Sequence, residues 1–181
     1  VDLNKIDKVN DLSRSIASKN LSVDDFKNEL NKINKVEAYP QMLIIIFSAF
    51  GAGSFSVLFG GTFKDVFAAF LIGLVIKTLT IKWSEIGINA FFINSICSGI
   101  TALLAIILFK LGIASQLNQT IIGAIMLLVP GLAITNAIRD TMSGDLLSGV
   151  IRASEAFLVA IAIAVGTGAV LSFWMTNIGG L

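Results

Sequence analysis

Long apolar runs decide what this chain can fold into. A bilayer core of about 30 Å is crossed by roughly 20 residues of helix, and after residue 40 the sequence is built almost entirely from segments of that kind. Five are read: about Gln41 to Phe59, Val66 to Ile81 (short), Asn89 to Phe109, Thr120 to Ile138, and Leu146 to Trp174. The fourth contains Pro130-Gly131 and is expected to be broken there, because proline removes a backbone donor and clashes with the preceding turn. The connections are short, and strict alternation is missing, so a transmembrane barrel is not expected. The expected fold is all-α: a polytopic membrane protein of about five transmembrane helices with a broken fourth, preceded by short amphipathic helices.

Composition supports this. Charged residues are 14% against about 25% in ordinary soluble domains, and apolar residues are 55%. Residues 1–40 hold seven basic and seven acidic residues of the chain's 25 charges. The organisation expected is therefore 1–40 as a polar cytoplasmic remnant, 41–176 as the membrane domain and 177–181 as a short extracytoplasmic tail. Neither part is basic enough for nucleic-acid binding. The chain begins at Val1 without a cleavable apolar leader, so it reads as a piece of a longer protein with no signal peptide.

In the polar part, Leu3, Ile6, Val9, Leu12 and Ile16 form one helical stripe, broken at Lys19-Asn20. Ser22 with Asp25 reads as an N-cap with a capping-box partner, followed by a second stripe of Val23, Phe26, Leu30, Ile33 and Val36. Packing on each other or on an upstream domain is favoured over a membrane-surface role.

Orientation follows from the basic residues. With the N-terminus in the cytoplasm, Lys77, Lys82, Arg139, Arg152 and the seven basic residues of the polar part lie inside, against Lys64 and Lys110 outside. The C-terminus then lies outside, near the interfacial anchor Trp174. Lys77, Lys82 and Glu85 read as loop charges, and Leu58-Phe59-Gly60-Gly61 as a tight outer turn. Ala156, Ala160, Ala164 and Gly168, and Asn94, Ser98 and Ala102 with Ser95 and Gly99 beside them, read as helix-packing seams.

The chemistry concentrates after the Pro-Gly break. Thr135, Asn136, Arg139, Asp140 and Ser143 recur at three- and four-residue offsets, as do Ser148, Arg152 and Glu155. Glu155 lies about 13 Å along a helix starting at Leu146, where ionisable residues are functional candidates by default. Arg152 and Glu155, one turn apart, are expected to neutralise each other in part. Arg139 and Arg152 offer forked donors to a carboxylate. Asp140, Asp145 and Glu155 are candidates for binding an amine or carrying a proton. Pro130, Gly131, Thr135, Asn136, Arg139 and Arg152 are thus the candidate substrate-binding residues, and Asp140, Asp145 and Glu155 the candidate proton-coupling residues. A purely structural salt-bridge cluster is the competing reading. There is no His and one Cys, Cys97, so no zinc site of the His/Cys type, no His triad and no intrachain disulfide is expected; no metal or cofactor is called for. An aspartyl protease dyad is disfavoured because Asp140 and Asp145 share one short segment, and no enzymatic activity is expected.

The run Leu127-Leu128-Val129-Pro130-Gly131-Leu132-Ala133-Ile134-Thr135-Asn136-Ala137-Ile138-Arg139-Asp140, with Ser143-Gly144-Asp145-Leu146-Leu147-Ser148-Gly149, Arg152 and Glu155-Ala156, resembles the threonine/serine exporter family. It is most similar to the YjjP-type subunit or the N-terminal half of that family. The Leu58-Phe59-Gly60-Gly61 turn also matches. The resemblance implies a secondary transporter, an antiporter of the cell (inner) membrane, exporting threonine and serine or a dicarboxylate such as succinate on the proton gradient. It also implies a second membrane half, fused or a separate YjjB-type subunit, and a homo-oligomer is a further possible assembly. Membrane lipid, protons and a small carboxylate substrate are the partners expected. A non-transporting scaffold subunit that docks a separate transport half is the alternative, with a passive channel behind it.

Overall fold

The computed structural model describes residues 3–19, 22–35 and 39–177. Every element among them is helical: α1 (Leu3–Lys19), α2 (Val23–Asn34), α3 (Gln41–Leu58), α4 (Phe63–Glu85), α5 (Ala90–Lys110), α6 (Leu117–Ile125), α7 (Gly131–Met142) and α8 (Leu146–Asn177). Two compact units result, Val1–Gln41 and Met42–Leu181.

The first unit is a helical hairpin. Ser22 caps α2, its Oγ accepting the Asp25 N–H at 3.2 Å and donating to the Asp25 carboxylate at 2.7 Å. Lys5 Nζ donates to the Asn34 carbonyl, so the start of α1 meets the end of α2. Leu12 is buried, while Ile6, Val9, Ile16, Val23 and Leu30 stay exposed, as expected of two stripes too small to cover each other. Asn20, Val36 and the residues from 178 onward lie outside the described residues.

In the second unit, α3, α4, α5 and α8 are each long and apolar enough to cross a membrane. The second segment is not short. It is a 23-residue helix, because Thr62 and Asp65 form a capping box that starts it before the apolar run. It also continues through Lys77 and Lys82, since a charged side chain does not end a helix. Lys77 is therefore a half-buried helical residue rather than a loop charge. The fourth segment is not one helix. α6 ends at Ile125 and α7 begins at Gly131, with Pro130 as its N-cap.

Close backbone approaches set the packing. Across the α5–α8 crossing, a Cβ built on Gly99 would stand 3.3 Å from the Gly166 carbonyl oxygen, and one on Gly166 would collide with the Ser95 carbonyl and the Ser98 hydroxyl. Farther along, Lys110 Nζ lies 4.1 Å from the centre of the Trp174 ring. These two pairings make α5 and α8 parallel. Gly73 of α4 meets Ala49 and Ala52 of α3, and Gly123 of α6 meets Ala52 and Ser56. α6 starts at the end where α5 finishes, and α7 finishes at the end where α8 starts. Together they traverse the unit as one interrupted crossing. The core between these helices holds Ile72, Ile76, Cys97, Ala102, Ile106 and Ala124.

The small-residue stripe of α8 differs from expectation. Only Ala156 is buried; Ala160, Ala164 and Gly168 are exposed, and nothing lies within 4 Å of a Cβ on Gly168. The face that packs on α5 carries Ala162, Ile163 and Gly166, because the close crossing at Gly99 turns that side inward.

Candidate functional site

Two features sit along the interrupted crossing. The first is the break itself. Leu128 N–H reaches back to Ile125 O and Gly131 N–H to Val129 O, so the chain turns tightly between the half-helices. Among the described residues, the carbonyls of Met126, Leu127 and Leu128 accept no backbone hydrogen bond, and the Leu132 and Ala133 N–H groups find no backbone acceptor. Irregular backbone at membrane depth is tolerated where it lines a cavity or is buried in protein. Here it borders a groove of about 450 Å³ between Val129, Pro130 and Ile134 on one side and Ala160, Ala164, Thr167 and Gly168 on the other. The Thr167 hydroxyl is buried there without a hydrogen-bond partner.

The second feature is a charge cluster at the α7–α8 hairpin. α7 ends in a Schellman motif: Gly144, at φ +87°, donates to Thr141 O, and Asp145 N–H donates to Asp140 O. Asp145 then caps α8, accepting the Ser148 N–H at 3.2 Å and the Ser148 hydroxyl at 2.7 Å. The Ser148 hydroxyl, helped by its N–H, holds the Asp145 carboxyl below the ordinary carboxylate range. Gly149 lets the helices close, since a Cβ there would strike the Thr141 side chain and stand 3.2 Å from Ala137 O. This approach brings Arg152 of α8 to Asp140 of α7, Nε to Oδ2 at 2.9 Å. Arg139 Nε lies 3.5 Å from the other oxygen, Oδ1.

The predicted residues therefore separate. Arg139, Asp140 and Arg152 come together. Pro130 and Gly131 lie at the break, eight residues of helix and about 12 Å from Arg139. Thr135 donates to the Gly131 carbonyl, and Asn136 is half-buried between the two features. Asp145 is occupied as a helix cap. Glu155 is exposed on α8 and does not neutralise Arg152, which turns to Asp140 instead. The reason is burial: the Asp140 side chain is 17% exposed, and an ion pair is screened less there than at a solvated residue on the same helix.

The sequence reading passed over Asp65. It is completely buried and accepts four donors: Thr62 N–H and hydroxyl on Oδ2, and Ser115 N–H and Gln116 N–H on Oδ1; the Thr120 hydroxyl lies 3.4 Å from Oδ1 and donates to the Gln116 carbonyl at 3.0 Å. Its signal was the Thr62-x-x-Asp65 capping box directly after Gly60-Gly61. Among the described residues no group of His, Cys, Asp and Glu is arranged to hold a metal ion.

The chain matches the ThrE model of threonine/serine exporters over residues 1–174. The chain belongs to the threonine/serine exporter family. No curated protein and no solved structure matches it. Membership in a transporter family, together with four helices able to cross a bilayer, makes this family member a polytopic membrane protein. Two guanidinium groups stand beside Asp140, while the other hairpin carboxylate, Asp145, is spent on the α8 cap, so the arginines offer donors to an anionic group.

Proposed function

We propose that the chain forms part of a secondary exporter of threonine and serine, with Arg139 and Arg152 taking the substrate carboxylate. The observation that carries this reading is the cluster Arg139–Asp140–Arg152, two cations to one anion, at the end of an interrupted crossing in an exporter-family chain. In discontinuous helices, exposed half-helix N-termini favour anionic groups. The first turn of α7 and the adjoining groove are read as the next stage of the path, reached after the substrate leaves the arginines. Pro130 and Gly131 shape that stage, and Thr135 and Asn136 lie between the two.

Export is driven by the proton gradient, with Asp140, Asp145 and Glu155 as the carboxylates available to couple it. Asp145 is the least suited, because its cap holds it ionised. The chain sits in the inner membrane with residues 1–40 cytoplasmic and its C-terminal end outside, following the distribution of basic residues. It works with a second membrane half of YjjB type, in a complex that can also be homo-oligomeric. A dicarboxylate such as succinate is the other substrate that the two arginines by themselves would admit.

The test is efflux of labelled threonine, serine and succinate from preloaded cells expressing this protein with its second half, with and without a protonophore. Protonophore-sensitive efflux, lost in Arg152→Ala while the complex still assembles, is the expected result. No efflux of any substrate from an intact complex overturns the assignment in favour of a scaffold.

A further inference from the structure

The way Arg152 and Arg139 meet Asp140 leaves both partners unsaturated. The contact recorded for each guanidinium is through Nε. Among the described residues neither arginine spends its terminal nitrogens on a hydrogen bond, so two forked donor faces stay open. Asp140 Oδ2 is bonded at 2.9 Å, but Oδ1 has only the 3.5 Å contact to Arg139, too long for a good hydrogen bond. The site therefore presents an open donor fork and an open carboxylate oxygen side by side. The Arg139 and Arg152 side chains are 70% and 47% exposed, so their outer nitrogens face solvent and can be reached by a ligand, beside an Asp140 that is only 17% exposed.

An α-amino acid carries its carboxylate and ammonium on one carbon. Reading both needs a fork and an acceptor within one contact distance of each other, which is the spacing of Arg152 and Asp140. Resting on the reading that Arg152 receives the substrate carboxylate, we propose that Asp140 is a specificity-determining residue that accepts the substrate ammonium. The site then takes zwitterionic amino acids. It rejects dicarboxylates, whose second carboxylate would face Asp140 with like charge, and amine-free hydroxy acids, which leave the Asp140 oxygen unpaired. The neighbouring charges do not duplicate this role. Asp145 is bonded to Ser148, Glu155 lies a turn beyond Arg152, and α5, which packs on α8, carries no charged residue before Lys110.

The test measures binding of L-threonine, 3-hydroxybutyrate (its amine-free counterpart) and succinate to the purified full-length protein assembled with its second half. The unchanged protein is expected to prefer threonine over both by at least tenfold. Asp140→Asn is expected to bring the threonine to 3-hydroxybutyrate ratio close to one, Asp140→Glu to keep the preference, and Arg152→Gln to weaken all three ligands. A residue needed only for folding would weaken all ligands together and leave the ratio unchanged; that result in Asp140→Asn overturns the proposal. So does equal binding of threonine and 3-hydroxybutyrate by the unchanged protein, which needs no variant to fold. Threonine binding that survives Asp140→Asn undiminished overturns this assignment and leaves the exporter reading standing. Absence of threonine binding in the unchanged protein overturns both.

Discussion

Asp65 Oδ1 accepts the backbone N–H of Gln116, the residue from which α6 starts, at 2.7 Å across 51 residues of sequence. With the Ser115 N–H on the same oxygen and Thr62 on the other, one carboxylate ties the α3–α4 turn to the start of the first half-helix. A charge so far removed from solvent is tolerated because every lone pair facing protein is met by a donor.

Replacing that carboxylate leaves buried amides without an acceptor. Asp65→Ala is expected to cost about 3 kcal/mol or more, on the scale of lost hydrogen bonds to a buried charged group. Asp65→Asn, which must turn an NH2 group toward at least one donor, is expected to recover little. Thermal unfolding in detergent gives the loss. Limited proteolysis between Gly112 and Gln116 checks that the damage begins at this connection.

Gly166 and Gly168 of α8 should respond in opposite ways. Gly166→Ala puts a methyl into the Ser95 carbonyl and is expected to cost about 1–3 kcal/mol, the usual range for overpacking a close crossing. Gly168→Ala meets open space and gains helix propensity, so stability is expected to hold or rise by roughly 0.5–1 kcal/mol. Denaturation of the two variants side by side distinguishes this packing from a seam along Ala156, Ala160, Ala164 and Gly168.

Pro130 has no N–H to return to the preceding turn, and the chain leaves the helical path there. Pro130→Ala restores the donor. Added helix content by circular dichroism, with reduced threonine efflux at unchanged membrane level, is expected if the break belongs to the transport path.

The cap on α8 carries a pH dependence of known sign. Folding lowers the Asp145 pKa, chiefly through the Ser148 hydroxyl. Its contribution is therefore present above the ordinary carboxylate pKa and is lost as pH falls through the depressed folded value. Protection factors of the first-turn amides of α8 should fall on acidification below about pH 4. Asp145→Asn, which caps without titrating, should remove that dependence.

Much of the architecture was legible because helices that cross lipid must satisfy their backbone internally and present long apolar runs. The spans, the Pro130 interruption and the Ser22 cap are all local, and each follows from residues within a turn or two of one another. Arg139, Asp140 and Arg152 could be nominated from spacing along two helices. Their pairing could not, because Arg152 chooses between Glu155 on its own helix and Asp140 on another, and Gly149 decides by letting α7 come close. The α8 stripe was misassigned for a similar reason: small residues mark where a backbone approach is possible, and only the position of Gly99 on α5 selects which side of α8 is used. Asp65 shows the limit most plainly. Its capping box with Thr62 is written in four consecutive residues. Its bonds to Ser115 and Gln116 exist only because α4 and α6 start where α5 ends, which no local pattern encodes. The sequence by itself determined a membrane-spanning helical chain with a broken crossing and a cluster of charges after the break. The tertiary structure decided which charges meet, which glycine carries the crossing and which carboxylate holds the half-helix, because each depends on atoms brought within contact distance from far apart in the chain.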